Sequence, residues 1–435
     1  MSKQKTPEVR RKKLRTRKMM RRRQFFLVSL LLCTFVAVLV GGLALLAAID
    51  SGNINLSLPT GRVKETEAPT EPASDVAKDP NSSAEARVNA WMETLTLEQK
   101  VAQLFIVKPE GISYEDDIKE MTTAMCKRLD TYPAGGIIFY RNNIQDETQI
   151  KKFLADINTY YRSKNLPLPF LAIDEEGGQI APIASNAAFK VTKAESLARL
   201  GASGDPSKAY ESGKTIGTYL KALGFNLDYA PNANVLTNPE NAEVKAASFG
   251  ADANMVTSMS QSFTTGLKEA GIIASVKNFP GEGGAEGSTE ENLAPSNRTA
   301  NDMMSTDMAP FKEAARSGVP MITGSHVSVK SIVGKNTPAD LSSKMINDIL
   351  RNQFGFHGVV STDAMDKGAI LNHYESDTAA IEAVNAGNDI ILQPGDYKKA
   401  YTAVLEAVKS GKITQAKLDA SVKKILTLKA EYLYG

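Results

Sequence analysis

From residue 104 onward, short apolar runs rich in strand-forming residues alternate with longer stretches whose apolar positions recur every three or four residues. The runs are LFIV (104–107), GGIIFY (135–140), FLAID (170–174), FNLDYAP (225–231), IIASVK (272–277), PMITGSH (320–326), GVVSTDA (358–364) and NDIILQP (388–394). Helical stretches such as SKAYESGKTIGTYLKAL and TAAIEAVNAG lie between them. Strands that alternate with helices pair in parallel through crossovers, so the pattern predicts repeated βαβ units. Eight runs within one domain, residues 86–435, predict an α/β fold: a (β/α)8 TIM-type barrel, with an open doubly wound sheet as the alternative. No GxGxxG follows the first run, which weakens a dinucleotide-binding reading. Just ahead of the runs, Thr96 with Gln99 three residues later forms a capping box, and Leu97, Val101, Leu104 and Phe105 follow at helical spacing.

The N-terminal pattern is different. Phe25 to Ile49 carries no charge, and such a stretch is long enough to cross a hydrocarbon core of about 30 Å. Arg21, Arg22 and Arg23 precede it, which predicts a basic cytoplasmic tail (1–24), a transmembrane helix (25–49) and everything after Asp50 outside the cell membrane. A cleaved signal peptide is the rival reading, although its apolar core normally runs only about 7–15 residues. Residues 50–85 are dominated by Pro, Thr, Ser and acids and read as a solvated linker.

Charge sharpens this division. The first 24 residues hold twelve Lys and Arg against Glu8 alone, a net +11; taken from the whole-chain +2, this leaves −9 for the rest. A mildly acidic domain gives no support for nucleic-acid binding. The two cysteines, Cys33 in the apolar run and Cys126 in the domain, predict no internal disulfide, and Cys126 reads as a small buried residue. His326, His357 and His373 lack ligand spacing, so no metal is expected. Trp91, the one tryptophan, is expected to pack on the outer helices.

Polar residues gather where the runs end: Arg141, Asn142, Asp174, Glu176, Asn232, Lys277, Asn278, His326, Asp363 and Gln393. In a barrel these ends converge on the face where such enzymes do chemistry. A helix cap explains any single one of them; together they point to a site.

Several segments resemble glycoside hydrolase family 3, in particular its single-domain bacterial β-N-acetylglucosaminidase branch: LTLEQKVAQLF, GGIIFYRNNI, AIDEEGGQI, LGFNLDYAPNANV, VKNFPGEGG and LSSKMINDILRNQFGFHGVVSTDAMDKGAI. The resemblance implies hydrolysis with retention through a covalent glycosyl-enzyme, with no cofactor. It implies Asp363 as nucleophile, and Asp174 and Lys277 as ligands of the sugar. Asn278, Arg141 and His326 are the further substrate-binding candidates. The implied substrate is a glycan or peptidoglycan fragment bearing terminal β-linked N-acetylhexosamine, cleaved by a monomer.

The departures from the family pattern concern basic residues. Where the family writes KHFPGHG, this chain has Lys277-Asn278-Phe279-Pro280-Gly281-Glu282-Gly283, and both histidines are gone. The branch carries Asp-Ser-His in the following loop, the histidine being its acid/base; here the count falls on Ser288-Thr289-Glu290. Arginines expected near Pro182 and at Ala247 are absent. Three readings follow: a loop glutamate, Glu290 or a neighbour among Glu282, Glu286 and Glu291, replaces the histidine; the sugar is a different one; or the domain binds glycans without turnover.

Overall fold

The computed structural model describes residues 82–434. The predicted tail, membrane segment and most of the linker therefore lie outside the described residues. Among the described residues no helix is long and apolar enough to cross a membrane. The first described helix, Ala84–Thr94, starts within the stretch expected to be linker, and its N-terminus is capped by Ser83. The next helix, Leu97–Gln103, starts at the predicted capping box: Thr96 and Gln99 each accept the other's backbone N–H.

All eight predicted runs form strands: β1 Phe105–Val107, β2 Gly136–Ile138, β3 Phe170–Ile173, β4 Leu227–Asp228, β5 Ile273–Phe279, β6 Met321–Gly324, β7 Val359–Ser361 and β8 Ile391–Leu392. β5 has seven residues and the others two to four, almost all of them buried. All pair in parallel, in the order β7-β6-β5-β4-β3-β2-β1-β8. A bridge between Ser361 and Ile390 links β7 to the approach of β8, so the ring nearly closes. The open doubly wound sheet is thereby excluded.

Packing follows from the apolar runs. Phe105, Phe139, Phe170 and Phe225 are fully buried, each worth about 2 kcal/mol of transfer free energy. Phe139 meets Phe153 and Phe225 edge-on, with centroids 5.3 and 5.9 Å apart, tying β2 to the helix Glu147–Ser163 and to the start of β4. The helices Pro206–Leu223 and Ala253–Glu269 pack so closely that a Cβ on Gly213 would meet the Phe263 carbonyl oxygen at 2.1 Å. Trp91 packs as expected: its ring meets Tyr434, at the end of the last helix, edge-on at 5.1 Å. Two local expectations are corrected. Cys126 is only half-buried on the helix Thr123–Thr131, because it falls off that helix's apolar stripe of Met125 and Leu129. His373, which the stretch after Asp363 reads as helical, lies just past the short helix Gly368–Leu371 rather than on it, and its Nε2 is 2.7 Å from Asn292 Oδ1.

Candidate active site

The parallel strands deliver their C-terminal ends to one face, where a cavity of about 1440 Å³ opens. Its wall includes Asp174, Glu176, Tyr229, Lys277, Asn278, Glu282, Glu290, Asp363, Lys367 and Gln393.

After β3 the chain reads Asp174-Glu175-Glu176 and then turns on Gly177 and Gly178. Both glycines hold left-handed φ values, 90° and 58°, and a Cβ on Gly177 would meet the Glu195 carbonyl oxygen at 2.5 Å. The turn sends the three acids in different directions. Glu175 is buried and structural: it accepts from the N–H groups of Ile183 and Ala184, at 2.8 and 3.0 Å, and from the Tyr219 hydroxyl at 2.7 Å. Asp174 and Glu176 face Lys277 from β5, whose Nζ donates to Asp174 and lies 2.8 Å from Glu176 Oε1. Burial alone would lower this ammonium's pKa, but the two carboxylates raise it above the ordinary lysine value. The pair presents fixed charge to a polar ligand. Asn278, next along β5, accepts from Asn234 Nδ2 at 3.3 Å.

Asp363 follows β7 by two residues and is nearly fully buried. Its Oδ1 accepts from the Ala364 N–H at 2.8 Å, and its Oδ2 lies 2.9 Å from Lys367 Nζ. Burial would raise its pKa, but Lys367 and then His326 outweigh it, and the carboxyl sits below its ordinary value. His326 is wholly buried and does not line the cavity. One ring nitrogen lies 2.9 Å from Asp340 Oδ2 and the other 2.8 Å from the Ala364 carbonyl oxygen. Two acceptors require both nitrogens to carry protons, and Asp340 outweighs burial to push the imidazolium up to about 9. Asp340 also accepts the Asp363 N–H at 3.2 Å. His326 and Asp340 thus fasten the backbone around Asp363 from beneath; of the expected binding residues, His326 is therefore placed to position Asp363 instead of touching a ligand.

Arg141 likewise does not line the cavity. Its guanidinium donates to Ser185 and, at 2.7 Å, to the Gln179 carbonyl oxygen, holding the loop after β3. Glu290 is on the cavity wall but 60% exposed, with Oε1 2.8 Å from Lys367 Nζ. Its loop is docked on the next helix: Gly368 N–H donates to the Glu290 carbonyl at 2.8 Å, and Ala369 N–H to that of Thr289 at 3.1 Å. The structure therefore brings together Asp174, Lys277, Asn278, Asp363 and Glu290, and leaves the exposed Arg141 and the buried His326 off the cavity wall.

Lys367 is not among the predicted site residues. It lies four residues after Asp363, and that spacing was the available signal. Glu282, one of the loop glutamates weighed as a replacement for the histidine, also faces the cavity. At the end of β8, Gln393 adopts φ 44°, unusual for a non-glycine residue, and donates through Nε2 to the Tyr140 hydroxyl. Among the described residues no group of His, Cys, Asp and Glu is arranged to hold a metal ion.

Comparison with known proteins gives this cavity a context. Residues 96–428 match the glycosyl hydrolase family 3 N-terminal domain. Beta-hexosaminidase A of Pseudoalteromonas piscicida is 28% identical over 348 residues, 74% of this chain and 58% of that protein. Beta-hexosaminidase LpqI of Mycobacterium tuberculosis is 27% identical over 407 residues, 91% of this chain and 96% of that one. The solved structure of a family 3 beta-N-acetylglucosaminidase from Paenibacillus sp. str. FPU-7 is similar with a TM-score of 0.72 at 34% identity, covering 78% of this chain and 63% of that one. The chain thus spans less than two thirds of the first and third of these relatives.

Proposed function

This chain belongs to glycosyl hydrolase family 3, and we propose that it is a retaining glycoside hydrolase releasing terminal β-linked N-acetylhexosamine from cell-wall-type glycans. The observation that carries this reading is Asp363. It is a carboxylate kept ionised in a buried place, on the wall of a cavity that also presents Asp174 and Lys277. Such a group can attack an anomeric carbon and be displaced later by water, which retains configuration. Asp174, braced by Lys277, supplies acceptors for sugar hydroxyls. The loop after β5 supplies the proton donor, since Glu282 and Glu290 both reach the cavity. The choice of sugar rests on the relatives named as beta-hexosaminidases. The place of action, outside the cell membrane, rests on the uncharged run 25–49 behind three arginines, read as a single-pass anchor.

A 5-fluoro-N-acetylglucosaminyl fluoride tests the reading: peptide mapping should find the sugar on Asp363, and the product of an aryl β-N-acetylhexosaminide should emerge with β configuration. An α product would remove the retaining reading, and label on another residue would remove Asp363 as the nucleophile. One observation favours a binding module instead: Lys367 occupies the Asp363 carboxylate, as in a resting pair. Under that reading, chitin fragments raise the melting temperature by mass action and no sugar is ever released.

A further inference from the structure

We propose that Glu282, rather than Glu290, is the acid/base of this site, an inference that rests on the retaining reading with Asp363 as nucleophile.

The backbone aims Glu282 firmly. It lies in the tight turn after β5, where its N–H donates to Asn234 Oδ1 at 2.9 Å and its carbonyl accepts from Asn241 Nδ2 at 3.0 Å. On its two sides, Gly281 N–H donates to the Asn278 carbonyl and Asn238 N–H to the Gly283 carbonyl, each at 2.8 Å. Gly283 is pressed so close to β4's continuation that a Cβ would meet the Val235 carbonyl oxygen at 1.6 Å. No swing of this turn is available without breaking those contacts.

The carboxyl hangs from the same junction as the nucleophile. Glu282 Oε1 accepts the Ser325 hydroxyl at 2.6 Å, and Ser325 adjoins His326, which fastens the Asp363 backbone with Asp340. Four groups face Glu282: Asp363 and Lys367 from β7's loop, and Ser325 and His326 from β6's end. Burial and then repulsion from Asp363 push Glu282 up to about 7, while Lys367, Ser325 and His326 restrain it. The same cations hold Asp363 down. Two carboxyls driven apart in this way are one proton donor and one nucleophile.

Glu290 has a different task. Largely exposed, it pairs as a carboxylate with Lys367 and so divides that cation between itself and Asp363. It serves as a counter-ion that holds the loop down.

In the first step an Asp363 oxygen bonds to the anomeric carbon, the bond to the leaving oxygen breaks, and the Glu282 proton passes to that oxygen. In the second, the Glu282 carboxylate takes a proton from water, the water oxygen bonds to the anomeric carbon, and Asp363 leaves as a carboxylate.

Glu282→Gln and Glu290→Gln in the full-length protein separate the two glutamates. E282Q should lose about 10²- to 10⁴-fold on natural chitin fragments, yet still release a burst of dinitrophenol from an activated aryl glycoside. The burst also reports that the variant is folded. Azide should restore turnover and give a β-glycosyl azide, and the alkaline limb of kcat/KM near pH 7 should disappear. Glu282→Ser should show the same azide rescue. E290Q should keep both the alkaline limb and azide insensitivity. The reverse pattern, or an azide response in neither variant, overturns the assignment. If the parent enzyme takes no 5-fluoro sugar label either, the retaining reading has failed first; if it takes the label on Asp363, only the role of Glu282 has.

Discussion

Two lysines are buried at opposite ends of this barrel, and they behave in opposite ways. Lys277, toward the C-terminal end of β5, meets two carboxylates, Asp174 and Glu176. Lys429, on the helix Gln415–Leu433, reaches the N-terminal ends of the strands, where its Nζ donates to Gln103 Oε1 and to the Gly135 carbonyl, both at 2.7 Å, and stands 4.9 Å from the Phe170 ring centroid. None of those partners is a carboxylate. Burial acts unopposed on Lys429 and lowers it to about 7, whereas the carboxylates overcome burial at Lys277 and raise it. A buried charge persists only where counter-ions stand ready to hold it. At the cavity face the chain keeps such charges; at the other end the same side chain acts as a hydrogen-bonding plug that can shed its proton.

The comparison can be pressed from its strongest side. Asp363→Asn should abolish hydrolysis of aryl β-N-acetylhexosaminides, by at least about 10⁴-fold as for other nucleophile deletions, with an unchanged circular dichroism spectrum. Residual turnover within tenfold of the parent would show that the charged face is not the reacting one. Lys277→Met should be the next largest effect, and here it is stability that suffers. Glu176, fully buried, and Asp174, partly buried, would lose their cation, at a cost of up to about 3–5 kcal/mol in urea denaturation. Adding Asp174→Asn to that variant should recover part of the loss without recovering activity. A cost for Lys277→Met no greater than for loss of Lys429 would erase the distinction between the two ends.

How far this could be read from sequence follows from what each feature depends on. The strands were legible because burial on both faces writes a continuous apolar run, and the first helix because a capping box is local chemistry. Asp174, Lys277 and Asp363 were legible because they follow such runs directly, and the family resemblance agreed. Glu282 was legible only as one of four loop glutamates, since nothing local sets it apart until β6 brings Ser325 to it. His326 was placed on the right strand with a different task, because its partner Asp340 lies fourteen residues on, beyond a loop, and no spacing reveals that pairing. Lys429 was invisible: on an amphipathic helix a lysine reads as solvent-facing, and only the ring of strand starts around it makes this one internal.

Lys429 also offers the finest test. Its folded-state pKa lies below the ordinary value of 10.5, so the fold disfavours its charged form. Above about pH 10.5 the side chain is neutral folded or unfolded, and no penalty applies. As pH falls toward 7 the unfolded chain binds a proton that the fold rejects, so stability falls; below about 7 the penalty is constant. The slope is at most about 1.4 kcal/mol per pH unit. Lys429→Met removes this slope and leaves Gln103 Oε1 and the Gly135 carbonyl without a donor, at about 1–3 kcal/mol. The variant's deficit should therefore be largest above about pH 10.5 and should shrink, then change sign, as pH falls toward 7, by at most about 1.4 kcal/mol per unit. Activity should stay within twofold, since this end of the barrel is remote from the cavity. Lys429→Arg sharpens the point: a guanidinium cannot shed its proton, so this variant should be the less stable of the two at pH 9.5. A gap between parent and Lys429→Met that does not change with pH would mean that Lys429 stays charged. The two buried lysines would then differ in their partners but not in their protons.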